Sequence, residues 1–242
     1  MRPVLIATAG SVSALDMLTV EEAPNPWFDV SWVVHNWSTI MPLLGQHIRL
    51  TVISVFVGAL IALPLALLAR HSRFLTGPVL AVSTIVYTIP SLAMFAFIAP
   101  YTGLSELTVE IGLVLYSLVI LVRNFLVGLQ SVPADVREAA RGMGYGSGRL
   151  FVQVELPLAL PSFLTGLRIA TVSTVALVTV GVIVGQGGLG QIIIVNGFGA
   201  NYYRPPIVFG TLACVLLALA ADQLLALAGR AFTPWTRARA AA

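Results

Sequence analysis

Residues 111–170 read IGLVLYSLVILVRNFLVGLQ, SVPADVREAARGMGYGSGRLFVQVE, LPLALPSFLTGLRIA: an apolar run, a polar island rich in arginine and glycine, and a second apolar run. A helix needs about 20 apolar residues to cross hydrocarbon roughly 30 Å thick. The stretch therefore predicts two membrane-crossing helices joined by an exposed loop over about 130–161. Inside the loop, Pro133 and Asp135 suit the first turn of a short helix. Ala139 and Ala140 are strong helix formers, small enough for another surface to approach closely, while Gly144, Gly146 and Gly148 permit a sharp turn. Leu156-Pro157 is expected to end the loop and stiffen the return into the membrane. An island with these features, set between two spans, is built to meet a soluble partner.

The rest of the chain fits the same solvent. Of 242 residues 58% are hydrophobic and 10% charged, with a mean hydropathy of +0.95, whereas soluble domains carry about 25% charged residues. Apolar runs at 50–68, 79–99, 111–129, 163–184 and 207–227 are each long enough to span, so the expected fold is all-α, with five transmembrane helices. Pro64 and Pro90 are tolerable inside these runs, because membrane helices accommodate proline through neighbours and local backbone adjustment. Cys214 is the sole cysteine, which excludes a disulfide within the chain and reads as a buried, inert thiol.

Arginine placement sets the expected orientation. All 13 basic residues are arginine, and positive charge accumulates on cytoplasmic segments. Arg70 and Arg73 follow the first run, Arg137, Arg141 and Arg149 lie in the loop, and Arg230, Arg237 and Arg239 follow the fifth run. Asp16, Glu21, Glu22, Asp29, Glu106 and Glu110 mark the opposite ends, with only Arg2, Arg49 and Arg204 among them. The chain is thus expected as a multi-pass membrane protein, with its N-terminus outside and its C-terminus and loop on the cytoplasmic side. Residues 1–45 form an extracytoplasmic or interfacial segment, 46–232 the transmembrane domain and 233–242 a basic cytoplasmic tail. Val4 to Ala9 is too short to span and resembles a poor signal peptide. Asn25-Pro26 reads as a helix start, followed by Val30, Val33, Val34, Trp37, Ile40 and Met41 at helical intervals; with Trp27 and Trp32 they predict an outer helix lying in the interface.

Several chemistries are excluded. Without lysine the chain can supply neither the phosphate-gripping lysine of a P-loop nor a Schiff base. Gly185-Gln186-Gly187-Gly188-Leu189-Gly190 matches the G-x-G-x-x-G dinucleotide fingerprint, yet it follows a membrane helix rather than a strand and lacks an acidic residue near twenty positions further on. Its glycines at 185, 187, 188 and 190 instead suit a break in helical geometry at the outer end of the fourth span, a candidate gate. His35, His47 and His71 have no metal-ligand spacing, and no nucleophile is assembled with a base, so neither a metal site nor a catalytic residue is expected. Arg123 and Asp222 are charges within spans. Arg123 is placed to snorkel, Asp222 to pair with Arg230 or a neighbouring helix, and neither is assigned to solute.

Glu138-Ala139-Ala140, Gly144 and Val154-Glu155-Leu156-Pro157 resemble, at these spacings, the EAA loop of the membrane subunits of binding-protein-dependent ABC importers. The resemblance implies a MetI-like importer fold. It also implies that Glu138, Ala139, Ala140, Arg141, Gly144, Leu156 and Pro157 form a coupling loop seated on a separate cytosolic ATPase, which would bind ATP and magnesium; no cofactor is implied for this chain. Gln46-His47, Thr88-Ile89-Pro90-Ser91-Leu92-Ala93, Leu121-Val122-Arg123-Asn124, Glu155 to Pro161 and Gly185 to Gly190 look like the permeases of osmoprotectant importers, which move glycine betaine, carnitine, choline and related quaternary amines. Where that family often has lysine in the coupling loop, this chain has Arg141, which keeps the charge and alters its hydrogen-bond geometry. The implied partners are two ATPases, an external substrate-binding protein, a second permease subunit that is identical or related, and the bilayer, with no nucleic acid. Transport would proceed by alternating access. Tyr87 and Tyr116 offer aromatic faces to a quaternary cation, and with Thr88, Pro90, Ser91, Thr171 and Thr174 they are the candidate path. Import of methionine or another amino acid is the alternative cargo. A stand-alone channel or secondary carrier is the alternative class, disfavoured because no internal repeat is visible.

Overall fold

The computed structural model describes residues 24–71 and 73–235; Val4 to Ala9, Arg237 and Arg239 lie outside them. The described residues are helical almost throughout, with no strand among them. In a bilayer core no water is present to satisfy backbone groups, so a spanning segment must close its own hydrogen bonds. The order is α1 (Val30–His35), α2 (Trp37–His71), α3 (Arg73–Thr88), α4 (Ser91–Thr102), α5 (Glu106–Gln130), α6 (Ala134–Gly142), α7 (Ser147–Leu150), α8 (Leu156–Val178), α9 (Leu189–Gln191) and α10 (Arg204–Phe232). A π-helical turn (Phe151–Glu155) joins α7 to α8, a 3₁₀ turn (Thr179–Val184) extends α8, and a second π-helical turn (Ile192–Phe198) follows α9.

Among the described residues, four helical segments are long and apolar enough to cross a membrane: Trp37–His71, Glu106–Gln130, Ser147–Val184 and Arg204–Phe232. The run at 79–99, expected as one span, is a pair of helices, α3 and α4, bent by 94°, and makes a fifth span where the pair is taken as one. Pro90 is the cause. It has no N–H to continue the helix and pushes Ile89 out of helical geometry, leaving Pro90 extended at φ −57°, ψ 134°. The first span starts at Trp37 rather than at 50, because the polar residues that interrupt its hydropathy find partners elsewhere in the fold. The expected interfacial helix is accordingly divided: Val30–His35 stands alone as α1, while Trp37, Ile40 and Met41 belong to the long span. Asn25 does not start a helix. Asp29 does, accepting from the Ser31 amide at 2.8 Å, and the Ser31 hydroxyl it also accepts holds its carboxyl below the usual range. Asn25 instead accepts from the Arg204 amide at 2.8 Å and donates to the Tyr202 carbonyl at 3.2 Å, tying the N-terminal segment to the start of α10.

Helix α5 lies between α2 and α8, and α10 packs on α8. The seam is made of small residues facing large ones. Ala62, Ala66 and Ala69 of α2 meet Leu121, Val122, Phe125 and Leu129 of α5, which meet Ala159, Phe163 and Ala170 of α8. Because lipid tails are as apolar as leucine, helices gain from close van der Waals approach rather than from the hydrophobic effect. Gly58 and Gly166 mark close approaches within this seam, since an added Cβ would lie 2.2 Å from the Ser117 hydroxyl and 2.6 Å from the Asn124 Cβ, respectively. Phe125 and Phe163 stack across the α5–α8 contact with ring centroids 4.4 Å apart, an arrangement that adds about 0.5–1.5 kcal/mol beyond area burial.

Candidate functional site

The polar island folds as α6, a tight turn, α7 and a π-helical turn that runs directly into α8. Pro133 precedes α6 at φ −60°, ψ 145°, and Asp135 occupies its first turn. The C-terminus closes with two reciprocal backbone bonds: Tyr145 N–H to the Ala140 carbonyl at 3.1 Å, and Gly144 N–H to the Arg141 carbonyl at 2.9 Å. That is a Schellman cap, which requires a left-handed residue at its corner. Gly144 supplies it at φ +82°, whereas Gly146 and Gly148 keep negative φ. Ala140 is buried, but Glu138, Ala139, Arg141 and Met143 are exposed, the last at 70%. The result is a short helix held from beneath by one alanine, presenting small and charged side chains outward.

Leu156-Pro157 opens α8, where the loop is expected to end, and the helical path runs on from Ser147 to Val184. Proline cannot donate to the carbonyl four residues before it and crowds that position. The widened π turn over Phe151–Glu155 falls where this conflict is absorbed. In the same turn Glu155 is 2% exposed and forms an ion pair with Arg70 of α2 at 2.7 Å. The base of the loop is thereby clamped to the end of the first span.

Two further features lie deeper. At the α3–α4 bend the Tyr116 hydroxyl donates to the Ile89 carbonyl, satisfying an acceptor that the broken helix leaves open. The Tyr87 and Tyr116 rings meet edge to face, with centroids 6.0 Å apart and planes at 72°. A cavity of about 420 Å³ opens there, lined by Tyr87, Thr88, Pro90, Ser91, Tyr116 and Ser173 among others. Thus five candidate path residues are brought together. Thr171 is not among them, and its hydroxyl donates to the Leu167 carbonyl at 2.8 Å; Thr174 is buried in the helix packing. Thr88 also donates to its own helix, at the Ile85 carbonyl 2.7 Å away.

The glycine cluster forms a compact break at the end of α8. Gly185 and Gly188 take positive φ of +75° and +52°. Gly187 and Gly190 lie so near backbone that a Cβ would stand 2.6 Å from the Val182 nitrogen and 2.4 Å from the Thr179 carbonyl oxygen. The start of α2 holds this break in place. Gln46 donates to Gln186 at 2.6 Å and to Glu106 at 2.9 Å, and accepts from the Gly188 amide at 3.1 Å. Fully buried His47 accepts from the Leu189 amide at Nδ1, 3.2 Å, which leaves Nε2 as the donor to the Val175 carbonyl at 3.0 Å. Arg49 pairs with Glu106 beside them.

One charge escaped the sequence reading. Of the two partners expected for Asp222, the neighbouring helix supplies it: Arg168 of α8 donates from Nε to Oδ1 and from Nη2 to Oδ2, both at 2.8 Å. The signal was available, because two opposite charges inside apolar runs each require a partner. Arg123 is exposed.

Comparison with known proteins places these features in context. Residues 37–234 match the family described as "Binding-protein-dependent transport system inner membrane component". The chain is 34% identical over 213 residues to a choline transport system permease protein, OpuBD, of Bacillus subtilis, covering 88% of this chain and 94% of that one. It is 36% identical to the glycine betaine/carnitine/choline permease protein OpuCD of the same organism, over 82% of this chain and 86% of that one. With the osmoprotectant import permease protein OsmW of Salmonella typhimurium it shares 33% identity, over 81% and 93%. Among solved structures, an inward-facing MetNI methionine ABC transporter superposes with a TM-score of 0.71 at 24% identity, over 80% of this chain and 96% of that one. An amino acid ABC transporter with histidines gives 0.68 at 20% identity, over 84% and 98%. At these identities the structural likeness speaks for the fold alone.

Proposed function

We propose a specific role for this chain, which belongs to the family of binding-protein-dependent transport system inner membrane components: it is the permease subunit of an ATP-driven importer of osmoprotectant quaternary amines such as glycine betaine, carnitine and choline. The observation that carries the cargo class is the identity of 33–36% to permeases named for these solutes, over more than four fifths of the chain. The cavity at the α3–α4 bend supports it physically, because the half-exposed Tyr87 ring, backed by buried Tyr116, stands beside unwound backbone, and a quaternary cation is attracted to an aromatic face. Irregular backbone at membrane depth is tolerated only against protein or a water-filled cavity. Methionine or another amino acid has no comparable support, since the methionine importer resembles this chain in fold only.

In this reading the α6–α7 loop is cytoplasmic and docks on a separate ATPase that binds ATP and magnesium. The glycine break with Gln46 and His47 forms the outer gate, and an external binding protein delivers solute. The N-terminus lies outside and the C-terminus inside. A second permease subunit, identical or related, completes the path, because too few helices come from one chain to enclose a solute. Closure of the ATPases on ATP draws the two loops together, and helices clamped at Arg70–Glu155 convert that displacement into opening at the outer face.

The direct test is uptake of radiolabelled glycine betaine, carnitine, choline and methionine by cells that lack other carriers and express this chain with its ATPase and receptor. Saturable uptake of at least one quaternary amine, falling to background without the ATPase, is expected. Uptake of methionine alone, or uptake that persists without any ATPase, overturns the reading.

A further inference from the structure

Arg168 and Asp222 form a bidentate pair on facing helices, and neither is fully covered: their side chains are 40% and 22% exposed. Helical rise places them deep. Asp222 stands about 15 Å from the Phe232 end of α10, and Arg168 about 18 Å from the Leu156 end of α8, at 1.5 Å per residue. Charges at such depth do not face acyl chains; they face the interior of a bundle or water and mark a solute route. A cavity of about 510 Å³ opens over the pair, lined by Thr165, Arg168, Val172, Ser173, Ala218 and Asp222 among others. Ser173 also lines the cavity at the α3–α4 bend, beside Tyr87 and Tyr116. One face of α8 therefore carries a continuous surface from an aromatic pair to an ion pair.

The chemistry of this surface matches a zwitterion. Glycine betaine and carnitine carry a quaternary ammonium and a carboxylate, and a planar guanidinium recognises a carboxylate through two parallel hydrogen bonds. Resting on the osmoprotectant reading, we propose that Arg168 and Asp222 form a solute subsite for zwitterionic quaternary amines, in which Arg168 exchanges the Asp222 carboxylate for that of the solute. Asp222 is released toward the ammonium, and the Tyr87 and Tyr116 rings lie further along the same face of α8. In the empty path the two charges satisfy each other, and in the loaded path the solute satisfies both, so no charge stands alone at any stage. Choline has no carboxylate, leaves the Arg168–Asp222 pair closed and draws on the aromatic end of that surface only.

The test is the double substitution Arg168→Gln with Asp222→Asn, which removes both charges together and avoids stranding one. The complete complex is reconstituted in proteoliposomes with one receptor throughout, and transport of betaine, carnitine and choline is measured per assembled complex. Betaine and carnitine uptake is expected to fall at least tenfold while choline uptake stays within about twofold. An equal fall for all three, or no change in any, would show a pair that merely joins α8 to α10, and overturns the proposal. Should the double variant fail to assemble, the charge reversal Arg168→Asp with Asp222→Arg is read the same way: a lowered betaine-to-choline ratio supports the subsite and an unaltered ratio overturns it. A wild-type complex that carries choline but no carboxylate-bearing amine also overturns it while leaving the import reading intact. A wild-type complex that carries none of the three removes the import reading itself.

Discussion

Arg70→Leu is expected to lower the melting temperature of the solubilised protein sharply and to deplete it from the membrane. The change leaves the Glu155 carboxylate, 2% exposed, without its partner at 2.7 Å. Removing one member of a buried ion pair costs about 3–5 kcal/mol, and about 3 kcal/mol is on the order of a hundredfold in the folded-to-unfolded ratio. The reciprocal change, Glu155→Leu, is expected to be milder. Arg70 retains 17% exposure at the last turn of α2, and its long apolar stem lets the guanidinium reach toward water. Replacing both, Arg70→Met with Glu155→Leu, is expected to recover most of the stability, since packed apolar side chains commonly equal or exceed a buried pair. Transport need not recover with it, because the pair is the clamp between the loop and the first span. Thermal unfolding in detergent checks the order, and a single Arg70→Leu variant as stable as wild type would contradict it.

Gly144→Val is expected to separate folding from coupling. The position holds φ +82° with nothing within 4 Å of an added Cβ, so the cost comes from the backbone alone. A left-handed conformation costs an L-residue roughly 1–2 kcal/mol, and more when the side chain is β-branched. The Schellman cap then opens and α6 no longer presents Glu138, Ala139 and Arg141 at a fixed angle, while the packed spans are untouched. Uptake is expected to fall at least tenfold with membrane level within about twofold of wild type. Gly144→Asn, which tolerates the left-handed region, is expected to retain most activity. Equal activity of the valine and asparagine variants would remove the conformational argument.

Hydropathy and spacing made much of this legible because both are local. The centres of the long helices, the polar island and the cap glycine at 144 were visible in windows of a few turns. What was not visible is non-local. The start of α2 was read too late because Gln46, His47 and Arg49 look incompatible with a span. Their partners Gln186, Leu189 and Glu106 are far along the chain, so no local window registers the compensation. The size of the bend at Pro90 is likewise non-local, because Tyr116, on another helix, takes up the orphaned Ile89 carbonyl. Of the hydroxyls proposed for the path, Thr88 and Ser91 line the cavity at the bend. The α8 threonines were chosen by residue type, with no means of telling which face of the helix meets the cavity. Arg168 went unnoticed as a single charge inside a long apolar run, although Asp222 implied a partner of its kind.

ATP-driven import through this chain requires the α6–α7 turn to be cytoplasmic and occupied by a motor protein. The most direct measurement places a lone cysteine at its tip, Met143→Cys in a Cys214→Ala background, and treats vesicles of known sidedness with a membrane-impermeant thiol reagent. Met143 is 70% exposed and next to the cap, so it reports without distorting the loop. Labelling only in inside-out vesicles, suppressed when the ATPase is bound, is the predicted result; labelling of intact right-side-out vesicles would contradict it.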